Sequence, residues 1–287
     1  MKKIVLFIIL TLSLPSHWLF SIAKQYPTKD LLEGLSAGSL NRYAFSVYSQ
    51  NGEDGILEEV FRRIGIQKGF FIEFGAADGI WLSNSRFLWE KGWSGVMIEA
   101  NQAAYRKLLI NYKKIKNVQC LNYFVSTKPY QPDLTLDQIA VRHFPDQEID
   151  FLSIDIDGAD SEILEGLLMR PKVICVETNL SWHPLFKQRI PSEVSHQNLH
   201  QPLPVMMDIA NKMGYKPVAM TINLILVRND YAHLFPEVPS DALTLWRDGF
   251  RGKIDKDYNI SLRKNNPFIK KHEPPELQQT MPITKDF

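Results

Sequence analysis

Acids close the short apolar runs of this chain. Glu73 and Asp78 follow Phe70-Phe-Ile72, Glu99 follows Val96-Met-Ile98, Asp155 and Asp157 follow Phe151-Leu-Ser-Ile154, and Glu177 follows Val173-Ile-Cys-Val176. Behind the first run stand Gly75, Ala76 and Gly79. A strand-to-helix turn needs a missing Cβ at such positions, for positive φ or for close approach of a ligand. The spacing is Gly-x-x-x-Gly, not the Gly-x-Gly-x-x-Gly of dinucleotide sites, and Glu73 would set a carboxylate against a diphosphate. The residues therefore suit a cationic or neutral nucleoside with an amino-acid end, of which S-adenosylmethionine is the common one.

Each acid then takes a role. Glu99, roughly 20 residues past the glycines, is placed to accept hydrogen bonds from both ribose hydroxyls. Glu73 or Asp78 would pair with the ammonium of the amino-acid end, and the backbone amides at Gly75 would receive its carboxylate. Asn122, after the next apolar run, could read an adenine edge. Methyl transfer from a sulfonium is an in-line displacement, and a hydroxyl acceptor must also lose a proton. Asp155 fits a cofactor-edge or acceptor-positioning role, and Asp157 or Glu177 the role of base. His183 is a further candidate because its pKa lies near neutrality. The alternative for Asp157 is that, with Asp160, it only caps the next helix.

These residues need a scaffold that gathers strand ends. Strands are expected at 70–74, 94–99, 117–125, 149–156 and 173–177, alternating with helices near 83–91, 102–112, 134–144 and 160–169. That alternation implies a parallel sheet with helices on both faces and right-handed crossovers. An earlier helix carries Ile56, Leu57, Val60, Phe61 and Ile64 on one face, with Asn51 or Asp54 as its cap. After an aperiodic Pro-, Ser- and His-rich stretch at 179–204 come a helix ended by Gly214 and two short strands, 216–220 and 224–228. The last two are close enough for an antiparallel hairpin. The expected fold is α/β: a Rossmann-like sheet of seven strands, mostly parallel, closed by that C-terminal hairpin. A six-stranded dinucleotide fold would end parallel, so an NAD-dependent oxidoreductase is disfavoured.

The 287 residues carry a net charge of +1 and are 45% hydrophobic, enough for one sizeable core and no argument for nucleic acid as partner. Residues 1–23 have a basic start, an apolar run and small residues near Ala23, the pattern of a secretory signal peptide. Pro15-Ser-His17 leaves the run short of the about 20 residues a membrane span needs. Export is the expectation, and an uncleaved membrane anchor is the alternative. Residues 24–47 read as an arm, 48–230 as the domain, and 231–287 as a partly disordered extension. Cys120 and Cys175 fall on strands on opposite sides of the sheet centre, too far apart to bridge. No Cys-x-x-Cys or His-x-x-x-His pair suggests zinc.

The motifs Tyr48-Ser-Gln-Asn-Gly-Glu-Asp54, Phe71-Ile-Glu-Phe-Gly-Ala-Ala-Asp-Gly79, Ser83-Asn-Ser85, Gly92-Trp-Ser-Gly-Val-Met-Ile-Glu99, Leu136-Asp137, Ile154-Asp-Ile-Asp-Gly158 and Val176-Glu-Thr-Asn179 occur in this order. Together, from about Tyr48 to Asp230, the chain resembles the FkbM family of S-adenosylmethionine-dependent methyltransferases. The resemblance implies methyl transfer, usually to oxygen, on a sugar or other small hydroxylated acceptor. It implies cofactor contacts at Glu73, Gly75, Ala76, Asp78, Gly79 and Glu99, with Gln50, Ser83 and Asn84 near the site. The chain departs from the family at Asp157, where a Glu is frequent, and at Thr178, where an aromatic is more common. Asp155, Asp157 and Asn179 also resemble the oxygen set of magnesium-dependent O-methyltransferases. Because S-adenosylmethionine is a cytosolic metabolite, the leader leaves a second reading open: an exported binding protein that keeps the fold without turnover.

Overall fold

The computed structural model describes residues 32–252, except 128–134, 181 and 193–199. The expected leader at 1–23 and the tail beyond residue 252 lie outside the described residues. Among the described residues, no helix is long and apolar enough to cross a membrane.

Seven strands form one sheet: β1 (Phe70–Phe74), β2 (Ser94–Ile98), β3 (Val118–Leu121), β4 (Phe151–Ile154), β5 (Val173–Glu177), β6 (Tyr215–Met220) and β7 (Asn223–Arg228). Their order is β3-β2-β1-β4-β5-β7-β6. β1 to β5 pair in parallel, and β7 runs antiparallel to both β5 and β6. Strand order reverses between β1 and β4, the place where open α/β sheets bind ligands. The expected hairpin is present, with β7 inserted beside β5.

The central strands are apolar throughout because both faces are covered. Ile72, Phe74, Val96, Ile98, Leu152, Ile154, Ile174 and Val176 point into one core layer. Helices α4 (Leu136–His143), α5 (Asp160–Gly166), α6 (Leu203–Lys212) and α7 (Ala242–Gly252) contribute to it. Phe71, Met97, Phe151, Val173 and Cys175 point into the other, which α1 (Glu53–Ile64), α2 (Arg86–Glu90) and α3 (Gln102–Tyr112) cover. The period of two along each strand produces this division. Cys120 and Cys175 are free thiols on β3 and β5, with three strands between them.

Several expected boundaries move. β4 ends at Ile154 instead of 156, and α2 begins at Arg86 instead of Ser83. The described parts of the arm, 32–47, and of the extension, 231–252, pack onto the domain, because each supplies apolar groups that the core takes up. Leu40 is fully buried, and Asn41 Nδ2 donates to the Met220 carbonyl at 2.8 Å. Helix α7 buries Leu245 and Trp246, and the Trp246 indole donates to the Leu180 carbonyl at 2.8 Å. Asp248 receives both the amide and the hydroxyl of Ser36.

Neither Asn51 nor Asp54 caps α1; its N-cap is Gly52, at φ +98°. Asp54 faces back instead. Its Oδ2 accepts the amides of Val47, Tyr48 and Ser49 at 2.6, 2.7 and 3.1 Å, folding the segment that precedes the helix. Burial pushes its carboxyl up to about 6, against the pull of those amides. Asp54→Ala should cost about 3 kcal/mol in urea unfolding, since it strands buried donors. A raised folded pKa means stability present near pH 4 and lost as pH rises toward 6. Asp54→Asn, which keeps an acceptor and never ionises, should therefore gain on the parent between pH 4.5 and 7; a constant difference would contradict this.

Candidate functional site

The β1 turn is shaped by backbone contacts. Gly75 sits at φ +80°, and a Cβ there would fall 1.8 Å from the Asp155 carbonyl oxygen, so the ends of β1 and β4 touch. The amides of Gly75 and Ala76 both donate to the Ile98 carbonyl at 3.0 Å. They are committed to the end of β2 and do not stand free for a ligand carboxylate, contrary to expectation. Gly79 serves packing: at φ +73°, a Cβ would meet Leu108, Tyr112 and Met97.

Glu73 is likewise not a free carboxylate. Its Oε1 accepts the Asn84 amide at 2.8 Å, and its Oε2 accepts the hydroxyls of Ser83, at 2.6 Å, and of Ser85. Burial raises its pKa, although these donors oppose the shift. Ser83 and Asn84 are thus the partners of Glu73, and Asn84 Nδ2 also reaches the Ser153 hydroxyl at 3.1 Å. Asp78 folds its own turn, Oδ1 accepting the amides of Ile80 and Trp81 at 2.9 Å. Asn122 donates to the carbonyls of Glu99 and Ala100 at 2.6 and 3.1 Å and accepts from Gln102. It ties β3 to the β2–α3 turn and does not present an adenine edge. Gln50 is exposed in the loop before α1.

Glu99 stands at the carboxyl end of β2 as expected. Oε2 accepts the Ala77 amide at 2.8 Å and Oε1 the Asn101 amide at 2.6 Å. Each oxygen keeps a lone pair for a further donor. Acids line this turn, with the chain passing through it at positive φ, an acceptor set that fits a nucleoside with a cationic end and rejects a diphosphate.

Across the β1–β4 contact, a second cluster forms at the ends of β4 and β5. Because β4 stops at Ile154, Asp155 and Asp157 leave the sheet in different directions, and Asp157 adopts φ +58°. Asp160, not Asp157, organises the turn before α5: its two oxygens accept the amides of Ile156 and Gly158 at 2.9 Å. Asp155 and Glu177 are hydrogen-bonded to each other, and burial raises both, Glu177 further because Asp155 and Asp160 face it. Such a pair shares a proton.

His200 completes the cluster, and sequence reasoning missed it. Its Nε2 lies 3.4 Å from Glu177 Oε2 and its Nδ1 3.4 Å from Asp160 Oδ2. Asp157, Glu177 and His200 each bring one ligand-type atom within 4.8 Å of the others. His183 instead packs its ring on Trp246 and accepts the Leu185 amide. The one available signal was Thr178, already marked as unusual: its hydroxyl donates to the Gln201 carbonyl at 2.9 Å, holding the residue after His200 against the end of β5. Glu53 borders the same end. It accepts from Asn223 Nδ2 at 3.1 Å and from the Asn51 amide at 2.7 Å, and Asn223 lies opposite Glu177 in the β5–β7 register. A cavity of about 590 Å³ lined by Lys68, Glu148, Asp150 and Lys172 lies at the opposite, amino ends of the strands.

The Gly75–Asp155 approach makes a prediction about this architecture. Gly75→Ala should lower the thermal midpoint by several degrees, because the methyl has backbone, not a flexible side chain, in its way. An unchanged midpoint would show that the two strand ends can separate freely.

The site can be compared with known proteins. Residues 121–217 match the family profile of the methyltransferase FkbM domain. No curated protein matches the chain. Among solved structures, a candidate caffeoyl-CoA O-methyltransferase from Staphylococcus aureus is 12% identical, with a TM-score of 0.40, over 60% of this chain and 80% of that one. The fibrillarin pre-rRNA processing protein of Methanococcus jannaschii is 14% identical, with a TM-score of 0.39, over 57% and 67%. S-adenosylmethionine is the methyl donor that the family match implies. The matched segment runs from the end of β3 through the acid cluster to β6, so the stretch that carries Asp155, Asp157, Glu177 and His200 is the one similar to the methyltransferase FkbM domain.

Proposed function

We propose that this chain places the methyl group of S-adenosylmethionine on an oxygen of a small hydroxylated acceptor, a sugar hydroxyl among them. The observation that carries the reading is the group Asp155, Asp157, Asp160, Glu177 and His200 gathered beside the Gly75 turn. A hydroxyl acceptor needs a partner for its proton and a directed approach, and acids with an imidazole supply both. When bound, S-adenosylmethionine supplies an electrophilic methyl on a sulfonium centre.

The chain's own residues divide the work. Glu99 would hold the ribose hydroxyls with its remaining lone pairs, and the oxygen of Asp78 not used in its turn would face the ammonium. Glu73, Ser83 and Asn84 act one layer behind, fixing the loop that carries these groups. Exposed Phe124, on the segment after β3, offers adenine a stacking face in place of the edge expected at Asn122. Asp155 takes the acceptor proton, being the acid of this cluster whose backbone lies against the Gly75 turn. Asp157 and Glu177 flank it and orient the acceptor. The net charge of +1 gives no electrostatic draw for nucleic acid and suits a neutral acceptor.

Calorimetry with S-adenosylhomocysteine on the full chain tests the cofactor half. Glu99→Ala should weaken binding about 100-fold, the loss of two charge-assisted hydrogen bonds. No binding to the parent chain would overturn the reading. For the acceptor half, transfer of labelled methyl from S-adenosylmethionine to a panel of monosaccharides and glycosides should give methyl ethers. Asp155→Asn should lower kcat about 10²- to 10⁴-fold with S-adenosylhomocysteine affinity kept. Label found only on nitrogen or carbon acceptors would reject oxygen as the target.

A further inference from the structure

We infer that Asp157, Glu177 and His200 form a site for one divalent transition-metal ion, of the Mn²⁺, Fe²⁺ or Zn²⁺ class, at the carboxyl ends of β4 and β5. The inference deepens the methyl-transfer reading, on which its role in catalysis rests, although the site itself can be tested alone.

Three observations converge. The ligand-type atoms of the three side chains all lie within 4.8 Å of one another, drawn from three separate segments of the chain. Glu177 Oε2 is buried and has no hydrogen-bond partner among the described residues, in a residue only 9% exposed. A carboxylate oxygen left unpaired in the interior is costly, which an ion bound there would relieve. The third observation is a distance. Glu177 Oε2 and His200 Nε2 stand 3.4 Å apart, too far for a good hydrogen bond. Two ligand atoms about 2.1 Å from one tetrahedral ion are roughly 3.4 Å apart.

The surroundings agree with the same reading. Asp160 Oδ2 stands 3.4 Å from Nδ1, on the far edge of the ring, so that a shift of a few tenths of an ångström on metal binding would make it the carboxylate that orients a ligand histidine. Asp160 is itself fixed by the Ile156 and Gly158 amides, and His200 by the Thr178–Gln201 tether next to it. Asp157 is the exposed member, held at φ +58°, and closes the set from the solvent side. The presence of an imidazole decides the class of ion: magnesium prefers oxygen ligands and water, whereas nitrogen with carboxylates suits zinc, iron and manganese. Three protein ligands also leave positions open for water or for an acceptor oxygen. Asp155 lies outside the set and remains the partner for the acceptor proton.

The test uses full-length protein stripped with a strong chelator, titrated with Mn²⁺ and with Zn²⁺ and read by calorimetry and by metal analysis after dialysis. One equivalent per chain is expected. Glu177→Gln and His200→Ala should weaken it at least about 100-fold, Asp160→Asn about 10-fold, and the distant His233→Ala not at all. Glu177→Gln keeps shape and volume, and far-ultraviolet circular dichroism with a thermal melt of each metal-free variant verifies its fold. Absence of stoichiometric Mn²⁺ and Zn²⁺ binding, binding of magnesium alone, or affinity unchanged in both folded ligand variants would each overturn the site. S-adenosylhomocysteine is titrated separately into stripped and loaded protein. Its binding without any metal site overturns this inference alone; a metal site without its binding supports the site and overturns the methyl-transfer reading.

Discussion

A carboxylate sunk in the middle of the sheet governs the cofactor side. Glu73 lies on β1 with a neighbouring strand on each side, and water cannot solvate it there. A buried carboxylate is tolerated only when donors replace water. Its donors are Ser83, Asn84 and Ser85, about ten residues downstream, so the intervening segment must fold back as a closed loop. That closure explains the run of left-handed residues between them: Gly75, Ala77, Gly79 and Leu82. Ala77 and Leu82 carry a Cβ and would not take this conformation freely. Their strain is held in place by the Glu73 anchor behind and by the Glu99 carboxylate receiving the Ala77 amide ahead. Glu73 thus serves the cofactor turn from behind, and Glu99 is the acid that faces outward.

The acid cluster at the ends of β4 and β5 follows from where a strand stops. Had β4 continued to residue 156, Asp155 and Asp157 would project on one face as a matched pair, two like charges side by side. It stops at Ile154, and the two Asp160 hydrogen bonds curl the chain into the next helix, turning Asp157 away through positive φ. Asp155 stays against Glu177, inside; Asp157 swings to the exposed rim. One short sequence, Asp-Ile-Asp-Gly, thereby yields two carboxylates in unlike surroundings, which is what allows them different chemistry.

Much of this was legible from residues alone, for reasons that also mark the limit. β1, β5 and α3 were placed to the residue because buried parallel strands are unbroken apolar runs, and α3 is opened by Asn101 taking the amides of Ala103 and Ala104. The acids at strand ends were legible because topology alone brings them to one edge. What the residues could not reveal was which acids face a ligand and which face protein. Glu73, Asp78 and Asn122 look identical in sequence to free ligand groups, and their partners lie two to twenty-three positions away. His200 was illegible for another reason: it sits in an aperiodic stretch, at φ +40°, and only the tertiary tether at Thr178 gives it a place.

The described parts of the arm and the extension brace the acid cluster from outside. β6 is the edge strand of the sheet, and an uncovered edge invites pairing with another chain. Asn41 takes the Met220 carbonyl at the end of β6, and Gly249 of α7 comes so close that a Cβ there would lie 2.7 Å from that same oxygen. Ser36 and Asp248 lock the arm to the helix. From this cap the Trp246 indole reaches across to the Leu180 carbonyl, at the start of the segment that returns as His200. Trp182 and Phe186 stack within that segment at 4.7 Å, and Gln201 holds both the amide and the carbonyl of Ile190. A path of buried contacts therefore runs from the two ends of the described chain, through the cap over β6, to the wall of the acid cluster. Residues outside the matched stretch 121–217 thus brace, at Leu180, the segment that leads to His200.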